Sequence, residues 1–217
     1  MNFLTEPRAI EAKSMAIIEQ LIGDFSFPEK EIIKRVVHAT GDPEMAALVE
    51  IHPEAVRAAR QVFTGSKKII TDVKMVKAGI SSRKTAQLGV AVYCAIDDPA
   101  VVKEAEEKRV TRAMAAISAL AELLTGSLAV IGNAPTALAE LIRLTEAGRV
   151  KPALIVGAPV GFVGAAEAKS ALTQLATPYV TVHGTKGGSA VAVSIVNALL
   201  NLWSESLEEK RWLSRGQ

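Results

Sequence analysis

The chain has 217 residues, 49% hydrophobic but only 4% aromatic, with 25 basic against 23 acidic side chains and a single cysteine. That composition suits one sizeable core built from Ala, Val, Ile and Leu, and near-neutral charge in mixed order excludes a nucleic-acid-binding stripe or a polybasic tail. Cys94 excludes an internal disulfide and, inside the apolar run Gly89 to Ile96, reads as a small buried hydrophobe.

The stretch Met1 to Arg8 carries acid and proline before any apolar run, so no signal peptide is expected. Ile10, Ile17, Ile18, Leu21 and Ile22 recur at helical spacing and predict a first helix from Pro7 to Ile22, stopped by Gly23. A second helix, with Ile32, Ile33, Val36 and Val37 as its apolar face, begins near Pro28 and ends around Ala39 to Gly41. Asp42-Pro43 reads as a cap followed by proline at the first helical position, opening a third helix toward Ile51. After Pro53 the pattern gives a helix to about Val62, then strands at Lys68 to Asp72 and Gly89 to Ile96. Asp98-Pro99 repeats the capping signature before one long helix reaching Leu124. The alanine-rich stretch from Ala113 to Leu138 is broken by Glu122, Asn133 and Pro135 and cannot span a bilayer, so a soluble cytoplasmic protein without a membrane partner is expected.

In the C-terminal half one cadence occurs three times: a short apolar run, a glycine-containing turn, an amphipathic stretch. The runs are Ser127 to Ile131, Ala153 to Val156 and Tyr179 to Val182, followed by turns that begin at Gly132, Gly157 and Gly184. Such runs are too short for helices and too apolar for solvated edges, so they read as buried parallel strands with helical crossovers. The expected fold is α/β: a single domain over residues 1–217 with an open, mainly parallel sheet flanked by helices and an N-terminal helical segment. Its glycine turns gather at the carboxyl ends of the strands, the edge where open α/β sheets bind ligands.

Neither nucleotide fingerprint fits those turns. Gly157, Gly161 and Gly164 follow a strand, but three residues separate the first two glycines where a dinucleotide site needs one, and Lys186 precedes Gly187-Gly188-Ser189 where a phosphate loop has its lysine after the glycines. Gly187, Gly188 and Ser189 nonetheless open a helix through Leu200, and their N–H groups could meet a carboxylate there. Glycines placed for close helix–strand packing are the competing account.

Of the three histidines, His52 before Pro53 and His183 at a strand end read as local hydrogen bonders. His38 lies in the last turn of a helix, where the carbonyl ends favour a charged ring suited to donating a proton. Arg35, three residues earlier on the same face, opposes that charge while offering an anion a planar fork of donors. Ser14 falls at the margin of the first helix's buried face, where a small polar residue also serves as a packing compromise. Arg112 sits in an Ala- and Leu-rich helix, where an arginine is ordinarily solvated. Asp97 and Asp98 resemble paired carboxylates, but the proline after them favours capping, and no Cys or His cluster has metal-ligand spacing.

Taken together, the segments Ile131-Gly132-Asn133-Ala134-Pro135-Thr136, Gly157-Ala158-Pro159-Val160-Gly161-Phe162-Val163-Gly164 through Lys169, and Gly187-Gly188-Ser189-Ala190 with Asn197-Ala198-Leu199 closely resemble those of the precorrin-8X methylmutases. The likeness extends through Arg35 to Gly41, Asp72, Met75-Val76, Gly79-Ile80 and Thr111-Arg112, and so over nearly the whole chain. Small departures are Thr40 where Ser or Cys is frequent, Ala168 where Ser is usual, and the pair Thr185-Lys186. The resemblance implies an isomerase of cobalamin biosynthesis that moves a methyl group between neighbouring ring carbons, 11 to 12, of a corrinoid tetrapyrrole. By that resemblance His38 protonates the macrocycle, Ser14 and Arg35 match substrate-contacting positions, and Arg112 is a further contact. It also implies no cofactor, no metal in the protein, and a homodimer with its sites near the subunit boundary. A non-catalytic corrinoid carrier on the same scaffold and a dinucleotide-dependent oxidoreductase are the alternatives, the second disfavoured by the missing fingerprint.

Overall fold

The computed structural model describes residues 4–215, with side chains as far as Ser204, and so leaves the first three residues of the polar N-terminal stretch outside the described residues. In chain order the helices are α1 (Pro7–Leu21), α2 (Glu29–Thr40), α3 (Met45–Leu48), α4 (Ala55–Thr64), α5 (Lys74–Gly79), α6 (Ser82–Leu88), α7 (Pro99–Lys108), α8 (Arg112–Ala119), α9 (Ala121–Leu124), α10 (Pro135–Glu146), α11 (Ala165–Leu172) and α12 (Ser189–Arg215). The strands are β1 (Val49–Ile51), β2 (Lys68–Thr71), β3 (Ala91–Tyr93), β4 (Leu128–Ile131), β5 (Leu154–Gly157) and β6 (Tyr179–Val182).

Among the described residues these strands form one sheet in the order β1-β6-β5-β4-β2-β3, parallel throughout except for the β1–β6 pair. Side chains alternate across it, as the two-residue period of a strand requires. Ile69, Leu128, Val130, Leu154, Val156, Val180 and Val182 join one core with α2, α4 and α12. Ile70, Ala129, Ile131, Ile155 and Tyr179 join a second with α8, α10 and α11 on the opposite face. The central strands β4, β5 and β6 are buried at every residue, which is why they read as continuous apolar runs.

Three local expectations change. The third helix stops at Leu48, and Val49 to Ile51 form an antiparallel edge strand, registered Val49 on Val182 and Ile51 on Val180. The helix expected from Pro99 to Leu124 is divided into α7, α8 and α9. Arg109 takes the left-handed conformation (φ 54°) at the end of α7, and the Thr111 hydroxyl accepts the Met114 N–H as the cap of α8. On α1, Ile18 and Ile22 are buried against α2, but Ile10, Ile17 and Leu21 face outward.

Candidate active site

Helix α2 places its chemistry by ordinary means. Glu29 and Glu31 oppose the dipole in its first turn, and Gly41 ends it in the left-handed conformation (φ 65°), donating its N–H to Val37. Ile32, Ile33, Val36 and Val37 are buried, which turns Arg35 and His38 to the margin of the helix. There α1 crosses them. Ser14 Oγ lies 3.0 Å from His38 Nδ1, and Arg35 Nη1 donates to Glu11 Oε1 at 2.6 Å. The Arg35 guanidinium, by its hydrogen bond and charge, holds the Glu11 carboxyl below the usual carboxylate range.

The Ser14 contact sets what His38 can do. If the hydroxyl donates to Nδ1, the neutral ring carries its proton on Nε2; if the ring is charged, Nδ1 donates to the hydroxyl and Nε2 is protonated as well. A neutral ring protonated on Nδ1 would instead donate to the hydroxyl and leave Nε2 an acceptor, so in every state Ser14 engages Nδ1 and Nε2 is the nitrogen that can give or take a proton at a molecule held beside it.

That molecule has a place. A cavity of about 460 Å³ is lined by Arg35, His38 and Ala39 of α2, Met75 and Gly79 of α5, and Ser189, Ala190, Val193, Ser194, Asn197 and Asn201 of α12. It forms a trough with α12 as floor and α2 and α5 as walls. Its floor is mostly small, so a broad flat ligand can approach the backbone. The walls are fixed by close approach: a Cβ at Gly79 would lie 2.7 Å from Val193 Cγ2. Asn197 pins the far wall, accepting the Ser81 N–H at 2.9 Å and donating to the Gly79 carbonyl at 3.0 Å.

The remaining sequence-derived candidates divide. Ser189, in the first turn of α12, lines the same cavity as Arg35 and His38. Gly187 and Gly188 sit just before it, and here the packing account gains. A Cβ at Gly187 would stand 2.5 Å from the Ala158 carbonyl oxygen and 2.8 Å from that of Pro159. The Gly188 N–H is already donated to Ala158 at 2.7 Å, so this amide is spent inside the protein and does not serve as the expected cradle for a ligand carboxylate. Arg112 is exposed at the start of α8, on the opposite face of the sheet, where its neighbour Thr111 bonds Thr136 at 2.7 Å; it does not line the cavity. The amides of the Gly132 turn are also taken, by the buried Asp72 carboxylate.

The turn before Ser189 is tied down from three sides. Lys169, fully buried, donates to the Lys186 carbonyl at 2.7 Å, and burial lowers its ammonium to about 8. Gly161 N–H donates to the Thr185 carbonyl at 3.1 Å, and Lys186 Nζ reaches Asp42 Oδ2 at 2.6 Å, just beyond the helix that bears His38. His183 and His52 are engaged elsewhere: His183 Nε2 lies 2.6 Å from Glu50, and His52 Nδ1 accepts the Glu54 N–H. Among the described residues no His, Cys, Asp and Glu group could hold a metal ion, and no helix is long and apolar enough to cross a membrane.

A model of the precorrin-8X methylmutase family matches residues 9–202. The chain is 40% identical over 208 residues to a cobalt-precorrin-8 methylmutase of Leptospira interrogans, covering 91% of this chain and 94% of the relative. It is 38% identical over 202 residues to a precorrin-8X methylmutase of Sinorhizobium, covering 91% and 96%. The solved precorrin-8X methylmutase of Thermus thermophilus superposes with a TM-score of 0.84 at 36% identity, over 92% of this chain and 97% of that one.

Proposed function

The chain belongs to the precorrin-8X methylmutase family, and from that premise we infer that it moves a methyl group from carbon 11 to carbon 12 of a corrinoid precursor held in the α2–α12 trough. The product is hydrogenobyrinate from precorrin-8X, or cobyrinate from cobalt-precorrin-8. The single observation that carries the site assignment is the Ser14–His38 hydrogen bond at 3.0 Å on the wall of that cavity, because it engages Nδ1 and leaves Nε2 to exchange a proton with a ligand.

The chemistry asks for little else. The bond from carbon 11 to the methyl breaks and the bond from carbon 12 forms; substrate and product are isomers, so a proton lent to the macrocycle must be withdrawn again. One imidazole can lend and withdraw it. Arg35 offers a planar fork to one of the substrate's carboxylates and so sets the distance from ring to acid, Ser14 holds the ring, and Ser189 faces the same space from α12. Arg112, Gly187 and Gly188 lie outside the trough wall, and no substrate contact is proposed for them.

Moving the methyl makes carbon 11 trigonal and extends the conjugated path, so the visible spectrum reports turnover. Incubation with precorrin-8X and with cobalt-precorrin-8 in separate cuvettes should change the spectrum of at least one. No change in either would overturn the assignment.

We also propose that the enzyme works as a cytoplasmic homodimer. The outward-facing Ile10, Ile17 and Leu21 of α1, with Phe27 at 76% exposure, support a second copy seated near the site. Light scattering should return twice the 22.9 kDa chain mass, and a monomer at every concentration tested would refute the assembly.

A further inference from the structure

Glu11 belongs to none of the motifs that mark the site, yet it stands one turn from Ser14 on the same edge of α1, as Arg35 stands one turn from His38 on α2. Residues three apart on a helix share a face, so two neighbours on one helix hold two neighbours on the other: Glu11 to Arg35 at 2.6 Å and Ser14 to His38 at 3.0 Å. The register of α1 on α2 does not depend on the first of these contacts. Ile18 and Ile22 are buried between the helices, and Glu19 reaches Lys30 at 2.7 Å and Lys34 at 3.3 Å. Glu11 itself is half exposed, and ion pairs in such places contribute little to stability. What it does is geometric. It takes Nη1 of a guanidinium whose side chain otherwise swings on several rotatable bonds, and leaves the other donors of a residue that lines the cavity.

We propose that Glu11 is a positioning residue for the methyl migration: it touches no substrate, but fixes the Arg35 fork so that a substrate carboxylate docks at a set distance from His38. The proposal rests on the reading of the trough as the corrinoid site. Because a misplacement of ~1 Å can cost ~10²-fold in rate, the effect falls on turnover more than on stability.

The test is a double-mutant cycle on the full chain, with turnover read from visible spectra, affinity from titration with hydrogenobyrinate, and melting temperature alongside. Glu11→Ala should lower turnover by about tenfold with the melting temperature within ~2 °C of wild type, and Glu11→Gln, which keeps an acceptor for Nη1, should retain more of the rate. Arg35→Ala should lose more than either, and adding Glu11→Ala to it should cost nothing further. Losses that multiply in the double variant would overturn the proposal, as would tighter corrinoid binding by Glu11→Ala, since the carboxylate would then be competing with substrate. Wild-type turnover and affinity in Arg35→Ala alone would instead remove the reading of the trough on which the proposal stands.

Discussion

His38→Ala should lower turnover by roughly 10²- to 10⁴-fold while leaving corrinoid affinity within about tenfold, because a proton donor acts in the transition state and adds little to ground-state binding. The structure gives reasons for both halves. His38 is exposed at the end of α2 and contributes nothing to the core, so its removal costs no packing. In the proposed site, binding falls to Arg35, Ser189 and the small floor of α12, which line the same cavity and which the substitution leaves in place. Ser14 loses its contact, but its hydroxyl is only half-buried and can bond water instead. A rate within threefold of wild type, with affinity unchanged, would take His38 out of the mechanism.

The second large effect is on stability. Asp72 is fully buried at the end of β2, and its carboxylate accepts three N–H groups of the turn after β4: Gly132 at 3.1 Å, Asn133 at 2.8 Å and Ala134 at 2.9 Å. It holds the turn that leads into α10, a helix whose N-cap Ala134 makes no side-chain cap bond of its own. Burial raises the Asp72 carboxyl and the three donors lower it, with burial the larger. Asp72→Asn keeps one oxygen but turns an NH₂ group toward donors, so up to two buried N–H groups lose their acceptor at about 1–3 kcal/mol each. For a chain of this size each kcal/mol corresponds to roughly 2–4 °C, and calorimetry should show a fall of about 5–15 °C. The loss should reach the site as well, since a Cβ at Gly132 would lie 3.0 Å from Ser189 Cα, and the turn therefore rests directly on the start of α12. A melting temperature within 1 °C of wild type would show that the turn holds without its acceptor.

How much of this was legible in the sequence follows from the range of each interaction. The central strands stood out because both faces of a parallel sheet are covered, which leaves continuous apolar runs between glycine turns. The edge strand β1 did not: three half-buried residues directly after a helix carry no pattern of their own, and only pairing with β6 makes them a strand. The break between α7 and α8 was hidden because Arg109 and Thr111 are tolerated in helices, and the left-handed turn at Arg109 closes through backbone bonds, such as the Val110 N–H to the Ala105 carbonyl, that no residue type announces. On α1 helical spacing was read correctly but its burial was overestimated, since two isoleucines suffice to seat the helix on α2.

The site divides along the same line. That Arg35 and His38 share a face follows from a three-residue spacing, and Ser14 lies at the margin where the sequence puts it. Glu11 and Lys169 could not be found that way. The first acts across two helices at a separation of 24 residues, and the second on a backbone carbonyl 17 residues away. Gly187 and Gly188 show the limit of a composition argument, because glycines that would free amides for a ligand and glycines that let two backbones touch look alike until the Ala158 and Pro159 carbonyls are in view.

The most direct measurement is a single turnover with a substrate carrying a carbon-13 methyl at ring carbon 11, followed by NMR. The label should appear on carbon 12 beside the methyl already there, with no dilution by unlabelled substrate added as a competitor for exchange. Label still on carbon 11 after stoichiometric binding would contradict the assignment of this protein as a methylmutase.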